Sequence, residues 1–492
     1  MRSVTTDTPV VILGAGPAGL TAAYELCRLG APSIVLEQDS VVGGLARTVE
    51  HNGYLFDIGG HRFFTKVPLI ENIWKEVLGA DLLVRPRLSR IYYRGKFFKY
   101  PLEPLNALAG LGLVETSRCL ASFVRAHLSP RAPEDDFETW VSNRFGQRLF
   151  DIFFKSYTEK VWGIPCRQIR SEWAAQRIRG LSLSTAIRDA LTRGRRGRHS
   201  IKTLIREFYY PRLGPGMMWT RMRELIERQG ASVVLNSPVE EIRHDGRQIT
   251  AVRAGGRLYS GNHFISTIPI RELIERLSPS APRSLRCAAR DFHYRDFITI
   301  ALMVRGTNLF PDNWIYVHDD AVSVGRIQNY SNWSPEMTPS AETSCLGLEY
   351  FCQQGDCLWT KPDAELIAQA VRELAHLGLA PADAIIDAKV IRMPKAYPVY
   401  DGSYQRGLSA VREFLTTISN LQLVGRNGMH RYNNQDHSML TAILAARNIM
   451  GASNDLWELN IDSEYQEEGV SLADLEALEA TQPRTPSVVS VA

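Results

Sequence analysis

Cysteine is scarce and scattered. The seven residues (Cys27, Cys119, Cys166, Cys287, Cys345, Cys352 and Cys357) form no CxxC pair, which argues against a disulfide framework or a structural zinc site. A reducing, cytoplasmic setting fits that usage best. An excess of one charge is also lacking. The 57 Lys and Arg against 53 Asp and Glu leave +4 over 492 residues, too little to imply nucleic-acid binding. The strongest basic run, "TRGRRGRH" (Thr192–His199), reads as a solvated loop, with a place near an anionic ligand or a membrane surface as the alternative. No run of about 18 apolar residues occurs, so no transmembrane segment is expected. The start "MRSVTTDTP" lacks the apolar stretch of a signal peptide. There is no internal repeat, no Ser-His-Asp set, no nucleophilic cysteine and no metal-ligand cluster, so no metal site is expected. Such a chain is expected to leave the covalent step to a cofactor and to position it.

What the sequence does have begins at once. "PVVILGAGPAGLTAAYELCRLGAPSIVLEQ" reads as strand, glycine turn, helix and second strand. Gly14 permits the tight turn, Gly16 lets backbone approach a pyrophosphate, and Gly19 allows close helix–strand packing. The helix N-terminus supplies free N–H groups. Glu37 ends the second strand where an acid takes up ribose hydroxyls, favouring FAD or NAD over NADP. Then "GGLARTVEHNGYLFDIGGHRFF" adds Gly43 and Gly44, Asp57, Gly59 and Gly60, and His61. Repeated glycines in an extended loop suit backbone running along a long, two-part cofactor, which reads as FAD.

The fold class expected is α/β: a Rossmann-like FAD-binding domain assembled from separated segments, with a helical insertion and an antiparallel-sheet substrate domain. The segments are 1–67 (first FAD part), 68–209 (mainly helical, with a hairpin at "RIYYRGKFFKYP"), 210–275 (second FAD part), 276–415 (antiparallel substrate domain), 416–451 (third FAD part) and 452–492, an acidic tail expected to be partly disordered. Glu134 to Asp136 read as helix-start acids rather than a catalytic pair. Just before the last helix lies "GRNGMHRYNNQDHSML" (Gly425–Leu440), crowded with hydrogen-bonding side chains. Either it reaches ligands, or its Asn and Asp merely cap the helix.

Several motifs in this order resemble the UDP-galactopyranose mutase family, within the wider group of FAD-dependent amine oxidases and phytoene desaturases. They are "KVWGIP" (Lys160–Pro165), "SEWAAQRIRG" (Ser171–Gly180), "GRIQNYSNWSP" (Gly325–Pro335) and the Gly425–Leu440 stretch, whose "NQDHS" resembles the eukaryotic-type branch. The resemblance runs from about Val10 to Met450 and implies the following roles. Arg177 and Arg326 clamp the substrate diphosphate, with Tyr316, Tyr397 and Tyr432 bonding the same phosphates. Tyr100 and Trp162 line the nucleoside pocket, and Asn434 faces the sugar. The loop Gly59-Gly60-His61 lies beside the flavin N5. Val239, Gly425, Arg426, Gln435, Asp436 and Ser438 join the FAD site. Arg87 lies near a nicotinamide reductant, NADPH or NADH.

On that resemblance the activity is a flavin-dependent isomerisation of a nucleotide sugar between pyranose and furanose forms, through a reduced-flavin N5–sugar adduct and with no net redox change. Paired arginines suit a diphosphate on chemical grounds too, because they supply bidentate donors that fix its geometry. Three departures stand out. Only Asn433 separates Arg431-Tyr432 from "NQDHS". Leu102 and Glu103 follow Tyr-Pro where an aromatic and an amide hold uracil. Thr158 replaces an Asn after Tyr157. A base other than uracil, thymine or guanine for instance, is therefore open. The alternatives are an FAD-dependent oxidoreductase acting on an apolar or amine substrate, and an FAD-stabilised binding protein. A nucleotide-sugar substrate is the expected partner, and homo-oligomerisation is left open.

Overall fold

The computed structural model describes residues 8–100, 102, 104–171, 207–401 and 404–459. Arg177, most of "SEWAAQRIRG", the Thr192–His199 run, Glu103 and the tail after Leu459 lie outside the described residues.

Five parallel strands form the nucleotide-binding sheet, in the order Leu421–Leu423, Phe264–Ser266, Val10–Leu13, Ser33–Leu36 and Ser232–Val234. Their near-continuous apolar sequence follows from burial on both faces, and Val10–Leu13 is buried at every residue. Helix Pro17–Arg28 starts with a proline at its first turn and buries Ala18 through Leu26. It packs against the last helix, Gln435–Ile449. Between them lies a buried ion pair, Arg447 Nε to Glu25 Oε1 at 2.8 Å. Residues 422 apart in the chain thus close one layer of the sheet. A smaller four-stranded sheet (Arg257–Tyr259, Ile249–Ala254, Val239–His244, Leu277–Ser278) stands beside it.

The second layer is a seven-stranded sheet: Ile385–Pro398, Tyr294–Arg305, Thr343–Cys352, Arg326–Asn329, Trp314–Val317, Ser89–Tyr93 and Lys96–Lys99. Along Tyr294–Arg305 side chains alternate. Ile298, Ile300, Leu302 and Val304 face helix Asp363–His376, whereas Phe297, Ala301 and Met303 face the nucleotide-binding side. The hairpin expected from "RIYYRGKFFKYP" forms, but it extends this sheet rather than standing among helices, and its strand Ser89–Tyr93 pairs in parallel with Trp314–Val317. That one parallel pair makes the sheet mixed rather than antiparallel throughout. Pairing partners more than two hundred residues away leave no local pattern. Helices Leu113–Leu128, Phe137–Phe145 and Ser156–Trp162 cover the hairpin. Asp136 caps the second of them, accepting from Thr139 N at 2.8 Å. Glu134 instead bonds Asn143 and Arg144.

A candidate flavin and anion site between the two sheets

The carboxyl ends of the parallel strands converge on one crevice, the usual ligand position in such sheets. Gly14 follows the first strand with φ +100°, and a Cβ there would sit 2.2 Å from Thr267 Oγ1. A Cβ on Gly19 would sit 1.8 Å from Gly14 O, so the helix rests directly on the turn. Gly16 differs: the nearest atom to its added Cβ is Gly44 Cα, at 3.9 Å. The two glycine loops therefore face each other across open space, and helix Pro17–Arg28 starts there without a side-chain cap. Glu37 lies at the edge of this space. Its carboxylate accepts from Ala15 N at 2.6 Å and Asp39 N at 2.9 Å, while burial raises its pKa against those bonds. Ser237 N donates to Glu37 O, which brings Val239 to the same edge.

At the far end, helix Gln435–Ile449 begins after Asn434, also without a side-chain cap bond. Asp436 is buried, and among the described residues neither its Oδ2 nor Gln435 Oε1 has a hydrogen-bond partner. Desolvation lifts the Asp436 pKa to about 7. Ser438 is buried one turn into the helix. Gly425 has φ +79°, and Arg426 is anchored by Asn433 O and Ala396 O, at 2.9 and 3.0 Å. Two uncapped helix N-termini, an open glycine cradle and orphaned buried acceptors fit an elongated cofactor with phosphates at its middle.

Beyond that cradle, Gly60 and His61 face the seven-stranded sheet. A Cβ on Gly60 would sit 2.7 Å from Gln328 Nε2. His61 Nδ1 is buried without a hydrogen-bond partner among the described residues, and the ring bonds the Gly59 backbone. Burial, then the Arg426 and Arg326 charges, push its pKa down to about 3, so the ring is neutral. Behind the loop, burial holds the Asp57 pKa up at about 8, with Tyr210 and Thr48 donating to its carboxyl.

Arg326 stands opposite. It bonds Glu349 Oε2 through Nε at 2.8 Å and approaches it with Nη2 at 2.7 Å, and Nη2 also reaches Tyr397 Oη at 3.3 Å. Tyr397 stacks on Tyr432 at 5.6 Å, with the Arg426 guanidinium over both rings. Tyr316 meets Tyr157 edge-on at 5.4 Å and Tyr100 at 4.5 Å. Burial raises the hydroxyl pKa values of Tyr157 and Tyr397, while the Arg326 charge lowers both. The hydroxyls stay protonated as donors. Arg87 lies over Tyr100 and Trp314, with Nε and Nη1 buried and lacking hydrogen-bond partners among the described residues.

The structure thus gathers His61, Arg326, Tyr316, Tyr397, Tyr432 and Arg426 into one cluster, with Tyr100 and Arg87 at its border. Trp162 lies deeper, in the apolar core beneath the helices. Asn434 is exposed at the helix cap. Sequence reasoning missed Glu349, Gln328, Tyr157 and Arg295. Glu349 carried a readable signal, being a lone acid in "SCLGLEYFC", since a fully buried glutamate needs a partner. Arg295 holds the "KVWGIP" segment by donating to Val161 O and Lys160 O. Tyr157 and Gln328 carried no such signal.

Residues 17–450 match the family described as flavin containing amine oxidoreductase. The chain belongs to that family, and its cofactor is FAD. A phytoene desaturase (lycopene-forming) of Pantoea ananas is 26% identical over 288 residues, 52% of this chain and 54% of the relative. An inactive all-trans-retinol 13,14-reductase of Danio rerio is 46% identical over 82 residues, 17% of this chain and 13% of the relative. The chain therefore spans 13% to 54% of the length of these curated relatives. Among solved structures, a reduced UDP-galactopyranose mutase matches with a TM-score of 0.82 and 23% identity, covering 94% of this chain and 100% of the other. That likeness is one of fold. Among the described residues no helix is long and apolar enough to cross a membrane.

Proposed function

We propose that the protein is an FAD-dependent isomerase that interconverts the pyranose and furanose forms of a nucleotide sugar without net redox change. The observation that carries this reading is the Arg326–tyrosine cluster facing Gly60 and His61. Arg326 spends Nε and Nη2 on Glu349 and Tyr397, and Nη1 makes no bond within the described residues. A diphosphate is a suitable acceptor for such a donor, with the phenols of Tyr157, Tyr316, Tyr397 and Tyr432 supplying neutral bonds around it. An apolar or simple amine substrate leaves this set without a purpose. Reduced FAD, when bound, would supply a nucleophile toward the anomeric carbon.

Arg326, with Arg177 as its proposed partner, holds the expelled diphosphate close enough to return, a proximity effect. Neutral His61 adds polarity beside the sugar without adding charge. Gly60 keeps side-chain bulk away from the reacting face. Asn434 is the proposed sugar contact, Tyr100 and Trp162 the proposed nucleoside wall, and Arg87 the proposed contact for NADPH or NADH as reductant.

The test reduces the purified yellow protein with dithionite under argon and titrates it with UDP-, dTDP- and GDP-hexoses in the presence of cyanoborohydride. A flavin mass increased by one hexose supports the proposal and names the nucleotide. Absence of any nucleoside diphosphate binding overturns it. The relatives named above favour a second reading, oxidation or desaturation of an organic substrate. Its signature is one equivalent of electron acceptor consumed per product, where the isomerase needs reductant only in catalytic amount.

A further inference from the structure

Helix Arg283–Arg290 turns Leu285, Ala288 and Ala289 toward the core around the nucleotide-binding sheet. Its other side carries Arg283, Arg286 and Arg290, spaced three and four residues apart and therefore in one row. Arg271 and Arg406 widen this basic face from the two helices packed beside it, Ile270–Glu275 and Tyr404–Thr416. Against these five arginines stand Glu275, Asp291 and Glu413. Glu275 is shared, with Arg271 Nε at 3.4 Å and Arg290 Nε at 4.0 Å. Among the described residues Arg283, Arg286 and Arg406 form no ion pair, and Arg286 Nε is buried without a hydrogen-bond partner. We propose that this face is the docking surface for the acidic segment 462–468 of the same chain.

Charge, reach and the make-up of the face select that occupant. The segment lies outside the described residues, and its sequence, "DSEYQEE", holds Asp462, Glu464, Glu467 and Glu468 with no Lys or Arg. The described chain leads to the patch. Asp455 pairs with Arg412 at 3.4 Å, and the Arg412 guanidinium lies 4.9 Å from the Trp457 ring centre. These contacts hold the chain against helix Tyr404–Thr416. The same helix meets the basic one, since a Cβ on Gly407 would sit 3.2 Å from Phe292 Cε1 and 3.5 Å from Ala288 O. Arg406 lies about 9 Å along it from Arg412. The segment begins three residues past Leu459 and ends nine past it, a reach of about 10–30 Å in extended chain. That spans Arg406 and the neighbouring helix, whose axis lies about 8–10 Å farther on. Other anionic partners suit the face less. Helix Arg283–Arg290 exposes no large apolar side chain, so it lacks what a membrane-surface helix buries in lipid. Its other exposed residues, Ser284 and Cys287, offer no aromatic platform for a nucleic-acid base. Exposed ion pairs are individually weak and screened by salt. Docking therefore relies on several acids acting together at the high effective concentration of a tethered segment.

Cys287, exposed on the basic helix, reports whether the face is covered, and exposed Cys357, beyond strand Thr343–Cys352, serves as internal reference. The FAD-bound full chain is alkylated with iodoacetamide in about 20 mM and about 500 mM NaCl, either side of effective screening. Peptide mass spectrometry follows each cysteine. The comparison protein is the full chain carrying Asp462→Asn, Glu464→Gln, Glu467→Gln and Glu468→Gln. At low salt Cys287 should react at least roughly threefold more slowly in the wild type, and high salt should remove the difference. Cys357 should react alike in both. Arg283→Gln combined with Arg290→Gln should abolish the effect of the tail substitutions on Cys287. Equal Cys287 rates in the first two proteins at low salt overturn the proposal, as does a difference that persists without Arg283 and Arg290. Protection lost on dilution from about 50 to about 0.5 µM assigns the face to the segment of a second copy and overturns docking within one chain. Protection that arises only on adding phosphatidylserine vesicles or an oligonucleotide overturns it too.

Discussion

Glu349 is fully buried and holds Arg326 in place: both Nε and Nη2 of the guanidinium lie within 2.8 Å of its Oε2. Its other oxygen accepts from Gln328 Nε2 at 2.8 Å, and Gln328 packs against Gly60. One carboxylate thus ties Arg326 to the Gly60 loop. Burial works against the arginine's charge, and Glu349 together with Tyr157, Tyr397 and Tyr316 more than restores it.

Removing that negative charge should leave a cation without its partner. For Glu349→Gln we expect a loss of about 3 kcal/mol of stability, the usual consequence of breaking a buried pair from one side. Nucleoside diphosphate affinity should fall with it, because Arg326 is no longer aimed. Denaturant unfolding and calorimetry on the flavin-loaded variant measure the two effects. Unchanged values for both would show that Arg326 needs no support.

Arg326→Ala addresses the arginine itself. Loss of one to two charge-assisted hydrogen bonds, each worth about 1.5–3 kcal/mol, should weaken nucleotide-sugar binding by at least roughly tenfold. FAD content should be unaffected, since Arg326 lies beyond the cradle. Calorimetry with UDP and dTDP checks this, and equal affinity in wild type and variant contradicts the anion-site assignment.

The glycine cradle yields a contrast inside a single motif. Gly19→Ala should disrupt folding, because its Cβ would meet Gly14 O at 1.8 Å. Gly16→Ala should fold normally, since nothing lies nearer than 3.9 Å and the backbone there has φ −79°, open to alanine. Yet the added methyl occupies the space kept for the pyrophosphate, so the purified variant should be nearly colourless. Circular dichroism together with the flavin absorbance decides. A yellow Gly16→Ala protein would place the cofactor elsewhere.

Those same glycines explain what could be read from the sequence. Gly14, Gly16, Gly19 and Glu37 lie within one βαβ unit, where local spacing fixes local geometry. The parallel sheet was therefore legible from its first strand, and the three-part assembly from returning strand patterns. The seven-stranded sheet was legible only as strands. Its order depends on pairings such as Ile91 with Tyr316, far apart in the chain. Arg326 was visible through a family motif and Glu349 as a lone acid in an apolar strand, but their pairing was not, because a pair across neighbouring strands leaves no spacing to count. Trp162 was visible only through its motif, and its bulk packs into the core beneath the helices, so its place beside any nucleoside is not legible from spacing.

Glu25 and Arg447 offer a test of the layer that closes the nucleotide-binding sheet. Arg447→Met alone should cost about 3–5 kcal/mol by stranding a buried carboxylate. Glu25→Leu combined with Arg447→Met should recover most of that loss, since an apolar pair needs no compensation. Unfolding free energies from the four-member double-mutant cycle measure the coupling. Additive losses would mean that the 2.8 Å contact contributes nothing.

His430 makes acid sensitivity predictable. Its ring is fully buried, stacked on Phe292 at 4.9 Å and edge-on to Tyr294 at 5.0 Å. Burial outweighs a backbone bond to Val399 and depresses the pKa from 6.5 to about 4. An unfolded chain therefore binds a proton near pH 6.5 that the folded chain refuses until about pH 4. The neutral ring's contribution is fully present above pH 6.5 and is lost as pH falls toward 4, by about 2 kcal/mol between pH 7 and pH 5. Residue 430 has φ +48°, a conformation that asparagine tolerates well. His430→Asn should therefore lose about 2 kcal/mol less than the wild type over that interval. Comparing each protein with itself at the two pH values cancels any pH-independent cost of the substitution. Equal pH dependence in both proteins would mean that His430 is protonated in the native state or titrates alike in both states.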